Sequence, residues 1–295
     1  MTIIRDEQFA SLREARAMHP ERLAAVLANR ERRDLLAGEG RLMIVAADHP
    51  ARGALSVGNR PTAMADRYEL LERLALALSR PGVDGVLGTP DIIDDLALLG
   101  LLEGKIVVAS TNRGGLRGAR FEMDDRVTAY DVDSIVRDRL DFAKTLLRIN
   151  FEDAGTTHTL LENAKLVNDA AAAKLPIMLE PFVSRWVDGK VQNDLSPDAV
   201  IQSIAIASGL GNSSAYTWLK LPVADEMDRV MRSTTLPTLL LGGDPSGAPE
   251  ATYRRWANAL ALPGVHGLVV GRTLLYPEDN NVAHAVDTAA ALVHN

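Results

Sequence analysis

The chain of 295 residues contains no cysteine, which excludes disulfide bonds, thiolate nucleophiles and zinc sites built on thiolates. It also lacks an uninterrupted apolar run of about 18 residues, the length that a membrane-spanning helix needs. Its first stretch, MTIIRDEQFASLREARAMHP, is charged and has no apolar core of the kind found in signal peptides. The net charge of −7 argues against nucleic-acid binding as the main task. We therefore expect a cytoplasmic enzyme or binding protein with no nucleic-acid or membrane partner.

One regular pattern follows a charged, helix-like segment at 1–40. Eight short apolar runs alternate with helix-length segments, and they are RLMIVAAD (41–48), VDGVLG (83–88), KIVVAS (105–110), AKTLLRIN (143–150), LPIMLEP (175–181), AYTWLKLP (215–222), LPTLLLGG (236–243) and VHGLVVG (265–271). Eight strand–helix units over about 250 residues predict an α/β fold, a single (β/α)8 TIM barrel with an N-terminal helical extension. A doubly wound sheet is the alternative, but no G-x-G-x-x-G motif follows the first run. We expect the extension at 1–40 and the barrel domain at 41–295.

In such barrels the active site lies at the carboxyl ends of the strands. Polar residues and glycines stand at or just after those ends: Asp48, His49, Thr89, Ser110, Asn112, Arg113, Arg148, Asn150, Glu180, Lys220, Gly242, Gly243, Gly271 and Arg272. Any one of them could cap its strand or form a structural ion pair. Because strand ends converge on one mouth, together they predict a functional site.

Lys220, in the stretch AYTWLKLPV, is the most informative of these residues, because lysine is rarely buried without a partner. A neutral lysine amine can attack a carbonyl and form a Schiff base, which then withdraws electrons from the adjacent carbon–carbon bond. Arg148 is a nearby cation that would favour the neutral amine. Glu180, one strand away, is the candidate for proton transfer.

Glycine-rich strand ends add a clue to the substrate. LLLGGD and GLVVGRTLL follow the seventh and eighth predicted strands, where barrel enzymes often bind phosphate through backbone N–H groups. Gly242, Gly243 and Gly271 could form that site and Arg272 could add a charge-assisted hydrogen bond. The alternative is that these glycines only form tight turns.

Five segments together resemble the class I, Schiff-base aldolases of the barrel superfamily. That superfamily includes deoxyribose-phosphate aldolase, archaeal-type fructose-bisphosphate aldolase and tagatose-bisphosphate aldolase. IVAADHPARGALSVG resembles its first-strand motif, PIMLEPF its fifth-strand segment with the acid/base glutamate, and YTWLKLPV its sixth-strand segment with the Schiff-base lysine. LLLGGD and GLVVGR resemble its phosphate-binding ends.

This resemblance implies a metal-independent aldolase with no cofactor, which acts on a phosphorylated keto-sugar or sugar acid. Lys220 would form the iminium, Glu180 would move protons and Asp48 would orient hydroxyl groups or assist. His49 and Arg113 would bind substrate. One plausible substrate is 2-deoxy-5-keto-gluconate 6-phosphate, from inositol breakdown, and fructose bisphosphate, tagatose bisphosphate and deoxyribose phosphate are the close alternatives. We also expect a homo-oligomer.

Two features depart from the family pattern. The fourth-strand position that is often lysine in relatives is interpreted as Arg148, which could bind an anion but not shuttle a proton. The loop at 111–130 is long and rich in charge of both signs, which indicates a substrate other than the plain bisphosphate sugar. Two other functions stay open: a non-covalent sugar-phosphate isomerase or epimerase with Glu180 as base, and a phosphosugar-binding sensor.

Overall fold

Nine strands form one sheet in the computed structural model, which describes residues 3–112, 115–242 and 249–294. The strands are β1 (Leu42–Ala46), β2 (Gly85–Gly88), β3 (Ile106–Ser110), β4 (Phe142–Ile149), β5 (Ile177–Val187), β6 (Lys190–Asp194), β7 (Thr217–Pro222), β8 (Thr238–Leu241) and β9 (Val265–Val270). All except β6 pair in parallel, and β4 pairs with β5 while β1 pairs with β9. The sheet is therefore a closed eight-stranded barrel, and the predicted TIM-barrel fold is confirmed.

Closure of the barrel depends on a glycine in β9. Gly267 pairs with Leu42 of β1 and has a φ of 136°, a conformation that side-chain-bearing residues rarely adopt. A Cβ atom at this position would lie 1.9 Å from the carbonyl oxygen of Leu42. Only a residue without a side chain allows the first and last strands to approach so closely.

Apolar residues on the two faces of each strand build two separate cores. Alternate residues such as Ile44, Val108 and Trp218 fill the inside of the barrel. Their neighbours in sequence, such as Met43 and Val107, pack outward against the helices. Two cores form because successive side chains of a strand point to opposite faces of the sheet.

β6 is the one strand that the sequence analysis did not predict. It pairs antiparallel with the extended end of β5, across a two-residue turn in which Asp188 and Gly189 both have positive φ. Positive φ at both central residues is the signature of a type I′ turn, which Asp-Gly favours. The strand itself, KVQND, is short and polar, so its pattern resembles a loop.

The helices surround the barrel. They are α1 (Asp6–Met18), α2 (Glu21–Asn29), a 3-10 turn (Pro50–Arg52), α3 (Arg67–Leu78), α4 (Pro90–Leu98), α5 (Val132–Arg137), α6 (Gly155–Ala173), α7 (Pro197–Ser208), α8 (Met227–Met231), α9 (Pro249–Leu260), α10 (Arg272–Leu275) and α11 (Val282–His294). No helix in the described residues is both long and apolar enough to cross a bilayer.

The predicted helical extension is helical only as far as Asn29, the end of α2. The next residues form no regular structure and bind the barrel near the amino ends of its strands. Arg30, which is fully buried, donates to the Asp141 carboxylate at 2.8 Å, and the half-exposed Arg32 donates to the other oxygen of Asp141 at 2.7 Å. Arg33 pairs with Asp84 at 2.5 Å. Ion pairs with the barrel, and not the backbone hydrogen bonds of a helix, therefore hold this segment in place.

Candidate active site

A layer of polar side chains lies directly above the apolar core inside the barrel. Phe142, Met178 and Trp218 belong to that core, and two residues further along the same strands come Lys144, Glu180 and Lys220. Because side chains alternate along a strand, a step of two residues keeps the same face. All three polar residues are buried.

These side chains form a continuous chain of alternating charges. Lys220 Nζ lies 2.6 Å from Glu180 Oε1, and Lys144 Nζ lies 2.5 Å from Glu180 Oε2. Lys144 Nζ is also 3.2 Å from Asp48 Oδ2, which accepts a hydrogen bond of 3.1 Å from Ser110 Oγ. The structure thus brings together the three predicted catalytic residues, Lys220, Glu180 and Asp48.

The charge on Glu180 follows from its two amine neighbours. Burial alone would raise the pKa of this carboxyl, but Lys144 and Lys220 outweigh burial and lower the pKa to about 2. Glu180 is therefore ionised at neutral pH and begins as a proton acceptor. Burial also lowers the pKa of His49 to about 3, although Asp48 opposes the shift. His49 is consequently neutral and can donate or accept a hydrogen bond.

Lys144 is a residue of this polar layer that the sequence analysis did not name, because it took Arg148 as the fourth-strand cation. Lys144 and Arg148 lie on the same face of β4, separated by Leu146, and Lys144 is the one that reaches Glu180. The alternation of FAKTLLRIN points both side chains into the barrel, so this signal makes Lys144 a candidate beside Arg148. The interpretation of Arg148 as the counterpart of the lysine in relatives stays a prediction, although Arg148 does not contact Glu180.

Arg148 is instead bound by the loop that follows β3. Its guanidinium donates to both oxygens of Asp125, at 2.8 and 2.6 Å, and to Glu122 Oε1 at 3.3 Å. It also donates to the backbone oxygens of Glu122 and Gly115. The guanidinium is almost completely buried by these contacts.

The ends of β8 and β9 line the same cavity as the lysines. Gly242, Gly271 and Arg272 stand there, and Arg272 begins the short helix α10. A Cβ atom on Gly271 would lie 2.4 Å from the backbone oxygen of Ala46, so glycine keeps β9 close to β1 at the mouth. Two other predicted binding residues, Arg113 and Gly243, lie outside the described residues. The phosphate site stays a prediction.

The cavity above the lysines has a volume of about 540 Å³ and a strongly cationic wall. Besides the residues above, it is lined by Arg52, which follows β1, by Arg117 of the loop after β3, and by Arg255 of α9. The sequence analysis named none of these three. In the described residues, no group of three or more His, Asp or Glu side chains could hold a metal ion.

Comparison with known proteins places the chain in a family. The sequence model of the Cgl0159-like family matches residues 40–290. A crystal structure of Cgl0159 from Corynebacterium glutamicum is 68% identical, has a TM-score of 0.98 and aligns over 100% of this chain and 99% of that one. None of the curated proteins matches.

More distant structures share the fold. A Schiff-base-forming fructose-1,6-bisphosphate aldolase is 20% identical, with a TM-score of 0.65 over 92% of this chain and 100% of its own. An archaeal fructose-1,6-bisphosphate aldolase, whose catalytic lysine carries a carbinolamine intermediate of the substrate, is also 20% identical. Its TM-score is 0.66 over the same shares. At this identity the likeness shows a common barrel.

Proposed function

The chain belongs to the Cgl0159-like family, and we propose that it is a class I aldolase that acts through a Schiff base on Lys220. The observation that carries this proposal is the shared carboxylate of Glu180, which contacts a buried lysine amine at each oxygen. Two amines around one carboxylate can pass a proton between them while a carbonyl reacts with Lys220.

The reaction begins when the Lys220 ammonium gives a proton to Glu180, 2.6 Å away. The neutral amine attacks the carbonyl carbon of the keto-sugar, and a proton moves from the nitrogen to the oxygen to give a carbinolamine. The protonated Glu180 then gives its proton to the carbinolamine hydroxyl, which leaves as water, so the iminium forms and Glu180 is again a carboxylate. Glu180 then removes the proton of the substrate hydroxyl, the carbon–carbon bond breaks, and its electron pair moves to the iminium as an enamine. Lys144 holds the Glu180 carboxylate in place, and Asp48 would orient the hydroxyl groups of the substrate.

The proposed substrate is a phosphorylated keto-sugar or sugar acid, with 2-deoxy-5-keto-gluconate 6-phosphate as the specific candidate. Gly242, Gly271 and Arg272 would hold its phosphate. The cationic wall of the cavity supports a substrate with negative charge. Fructose bisphosphate, tagatose bisphosphate and deoxyribose phosphate are the other substrates to test.

Borohydride trapping tests the Schiff base directly. Protein incubated with dihydroxyacetone phosphate and borohydride should gain the mass of one reduced adduct, and peptide mapping should place it on Lys220. Lys220→Ala should lose both the adduct and turnover while it stays folded. The matched control is Lys165→Ala, which removes an exposed lysine paired with Asp169 on α6. An adduct on Lys144, or more than a few per cent of activity in Lys220→Ala, would contradict the proposal.

A non-covalent isomerase or epimerase is the second candidate. The ion pair between Lys220 and Glu180 supports it, because a carboxylate base beside a fixed ammonium suits proton transfer next to a carbonyl. Such an enzyme would exchange a substrate proton with solvent but would leave no adduct after borohydride.

A further inference from the structure

The side of the cavity that β4, β5 and β7 form is apolar directly above the polar layer. Two residues beyond each member of that layer, on the same strands and the same face, stand Leu146, Phe182 and Pro222. All three are buried and line the cavity. Strand β6 and the residue after it add Val191 and Leu195, and Leu195 is 51% exposed although it is a leucine. These five residues form the apolar wall.

Polar side chains next to the apolar wall are bound to other parts of the protein. Arg148, the next inward residue of β4, donates to Asp125 and Glu122. Asn193, the polar residue of β6 that lines the cavity, accepts from Ser184 Oγ at 2.8 Å through its Oδ1. A substrate hydroxyl group that packed against the five apolar side chains would lose water and gain no hydrogen bond from them, which is unfavourable.

The order of the strands decides which part of a substrate meets the apolar wall. Strands β9, β8, β7, β5 and β4 follow one another round the barrel. The proposed phosphate site lies at the first two, Lys220 lies on β7 and Glu180 lies on β5. A substrate whose phosphate, carbonyl and reacting hydroxyl follow this order reaches Phe182 and Leu146 next. It can extend only towards the mouth, because the apolar core fills the barrel below Glu180.

The chemistry of cleavage identifies the carbon that arrives there. The carbon whose hydroxyl loses its proton to Glu180 becomes the aldehyde carbon, so the carbon after it is the first to reach the apolar wall. We propose that the apolar wall binds the aldehyde half of the substrate and selects an aldehyde with no hydroxyl group on the carbon next to the carbonyl.

This proposal rests on the proposed aldolase function and narrows its substrates to keto-sugars or sugar acids that are deoxy at that carbon. Malonate semialdehyde, the aldehyde half of 2-deoxy-5-keto-gluconate 6-phosphate, meets the condition because its second carbon is a methylene. Glyceraldehyde 3-phosphate, the aldehyde half of fructose and tagatose bisphosphate, carries a hydroxyl there and does not.

Two aldehydes that differ by one hydroxyl group test the apolar wall. Propanal and lactaldehyde have the same carbon chain, and only lactaldehyde has a hydroxyl on the carbon next to the carbonyl. With dihydroxyacetone phosphate as donor, kcat/KM for propanal should exceed that for either enantiomer of lactaldehyde about tenfold to a hundredfold, the discrimination that an apolar pocket gives against an added hydroxyl. A value for either enantiomer that equals or exceeds the value for propanal would overturn the proposal.

Variants of the wall show whether it is the source of this preference. Leu146→Thr and Leu146→Val introduce side chains of the same shape, and only threonine can form a hydrogen bond with lactaldehyde. The preference for propanal should therefore be about tenfold smaller in Leu146→Thr than in Leu146→Val. Val191→Thr makes the same change on the half-buried β6, where threonine suits a strand, so this variant should fold.

The matched control is Leu161→Thr, which changes an exposed leucine on α6, outside the cavity, and should keep the full preference. Equal preferences in Leu146→Thr and Leu146→Val, together with an unchanged preference in Val191→Thr, would contradict the proposal.

Borohydride trapping separates this proposal from the aldolase proposal. If the unaltered protein traps no adduct with dihydroxyacetone phosphate, the aldolase proposal fails and the selection by the apolar wall fails with it. If the adduct forms on Lys220 but propanal has no advantage over lactaldehyde, the apolar-wall proposal alone fails.

Discussion

Replacement of Arg30 should destabilise the protein far more than replacement of Arg32, although both bind Asp141. The Arg30 side chain is 1% exposed and donates to the backbone oxygens of Lys105 and Arg139, at 2.7 and 2.9 Å, as well as to Asp141 at 2.8 Å. The Arg32 side chain is 42% exposed and its contact with Asp141 is partly screened by water. The two variants therefore compare a buried and a half-exposed partner of one carboxylate.

The magnitude follows from what each truncation leaves behind. Arg30→Ala removes one donor from Asp141, which keeps Arg32 and the N–H of Val107, and leaves two backbone carbonyls short of a donor, which costs about 3–5 kcal/mol of unfolding free energy. At about 2–4 °C per kcal/mol, the melting temperature should fall by roughly 6–20 °C. Arg32→Ala should cost less than about 1 kcal/mol, because a half-exposed ion pair contributes little.

The free energy of unfolding of both variants can be measured by urea unfolding followed by circular dichroism. The slope of that free energy against urea concentration should be the same in the variants as in the unaltered protein. Asp141→Asn combined with Arg30→Ala should cost less than the sum of the two single changes, because both remove the same pair. Losses of equal size in Arg30→Ala and Arg32→Ala would refute the reasoning, since burial would then not decide the cost.

Three further predictions follow from the same structure. Arg272→Ala should raise KM for a phosphorylated substrate about tenfold to a hundredfold, because it removes a charge-assisted hydrogen bond, and should barely affect the unphosphorylated sugar in steady-state assays. Burial raises the pKa of Asp94 to about 6; the negative charges of Asp95 and Asp91 add to this shift, and Arg16 opposes it. Ionisation of Asp94 in the folded protein therefore costs stability as the pH rises from about 4 through 6. Asp94→Asn should therefore add roughly 1–2 kcal/mol to unfolding free energy at pH 7 and nothing at pH 4, and an equal gain at both would contradict this. EDTA should leave aldolase activity unchanged, and a loss that a divalent metal restores would overturn the metal-independent mechanism.

The barrel can be predicted from the sequence because each strand and each helix has a recognisable pattern within a short stretch of residues. Each strand is a short apolar run, each helix is longer and amphipathic, and their alternation allows few folds. Even the fourth run, AKTLLRIN, which could also end a helix, forms the strand Phe142–Ile149. The pattern fails where polar residues form a strand, as in β6, whose only signal is the Asp-Gly turn before it.

Within the site, the sequence predicts which side chains lie close together but not which of them form ion pairs with one another. Lys220, Glu180 and Asp48 stand at or near the ends of the predicted strands, so their convergence follows from the fold. The choice between Lys144 and Arg148 as the partner of Glu180 depends on depth inside the barrel, which alternation alone does not determine. The binding of Arg148 by Asp125 and Glu122 depends on the path of a long loop, for which the sequence carries no periodic signal.

The pairing of β1 with β9 has a consequence for the order in which the chain folds. The two strands that close the barrel are the first and the last to be synthesised, so β1 keeps one unpaired edge until Gly267 arrives beside Leu42. Contacts so distant in sequence form slowly, and an open edge invites pairing with other chains. The bonds from Arg30 and Arg33 to Asp141 and Asp84 need only the first half of the barrel. They can anchor the nascent N-terminal half while it waits for closure.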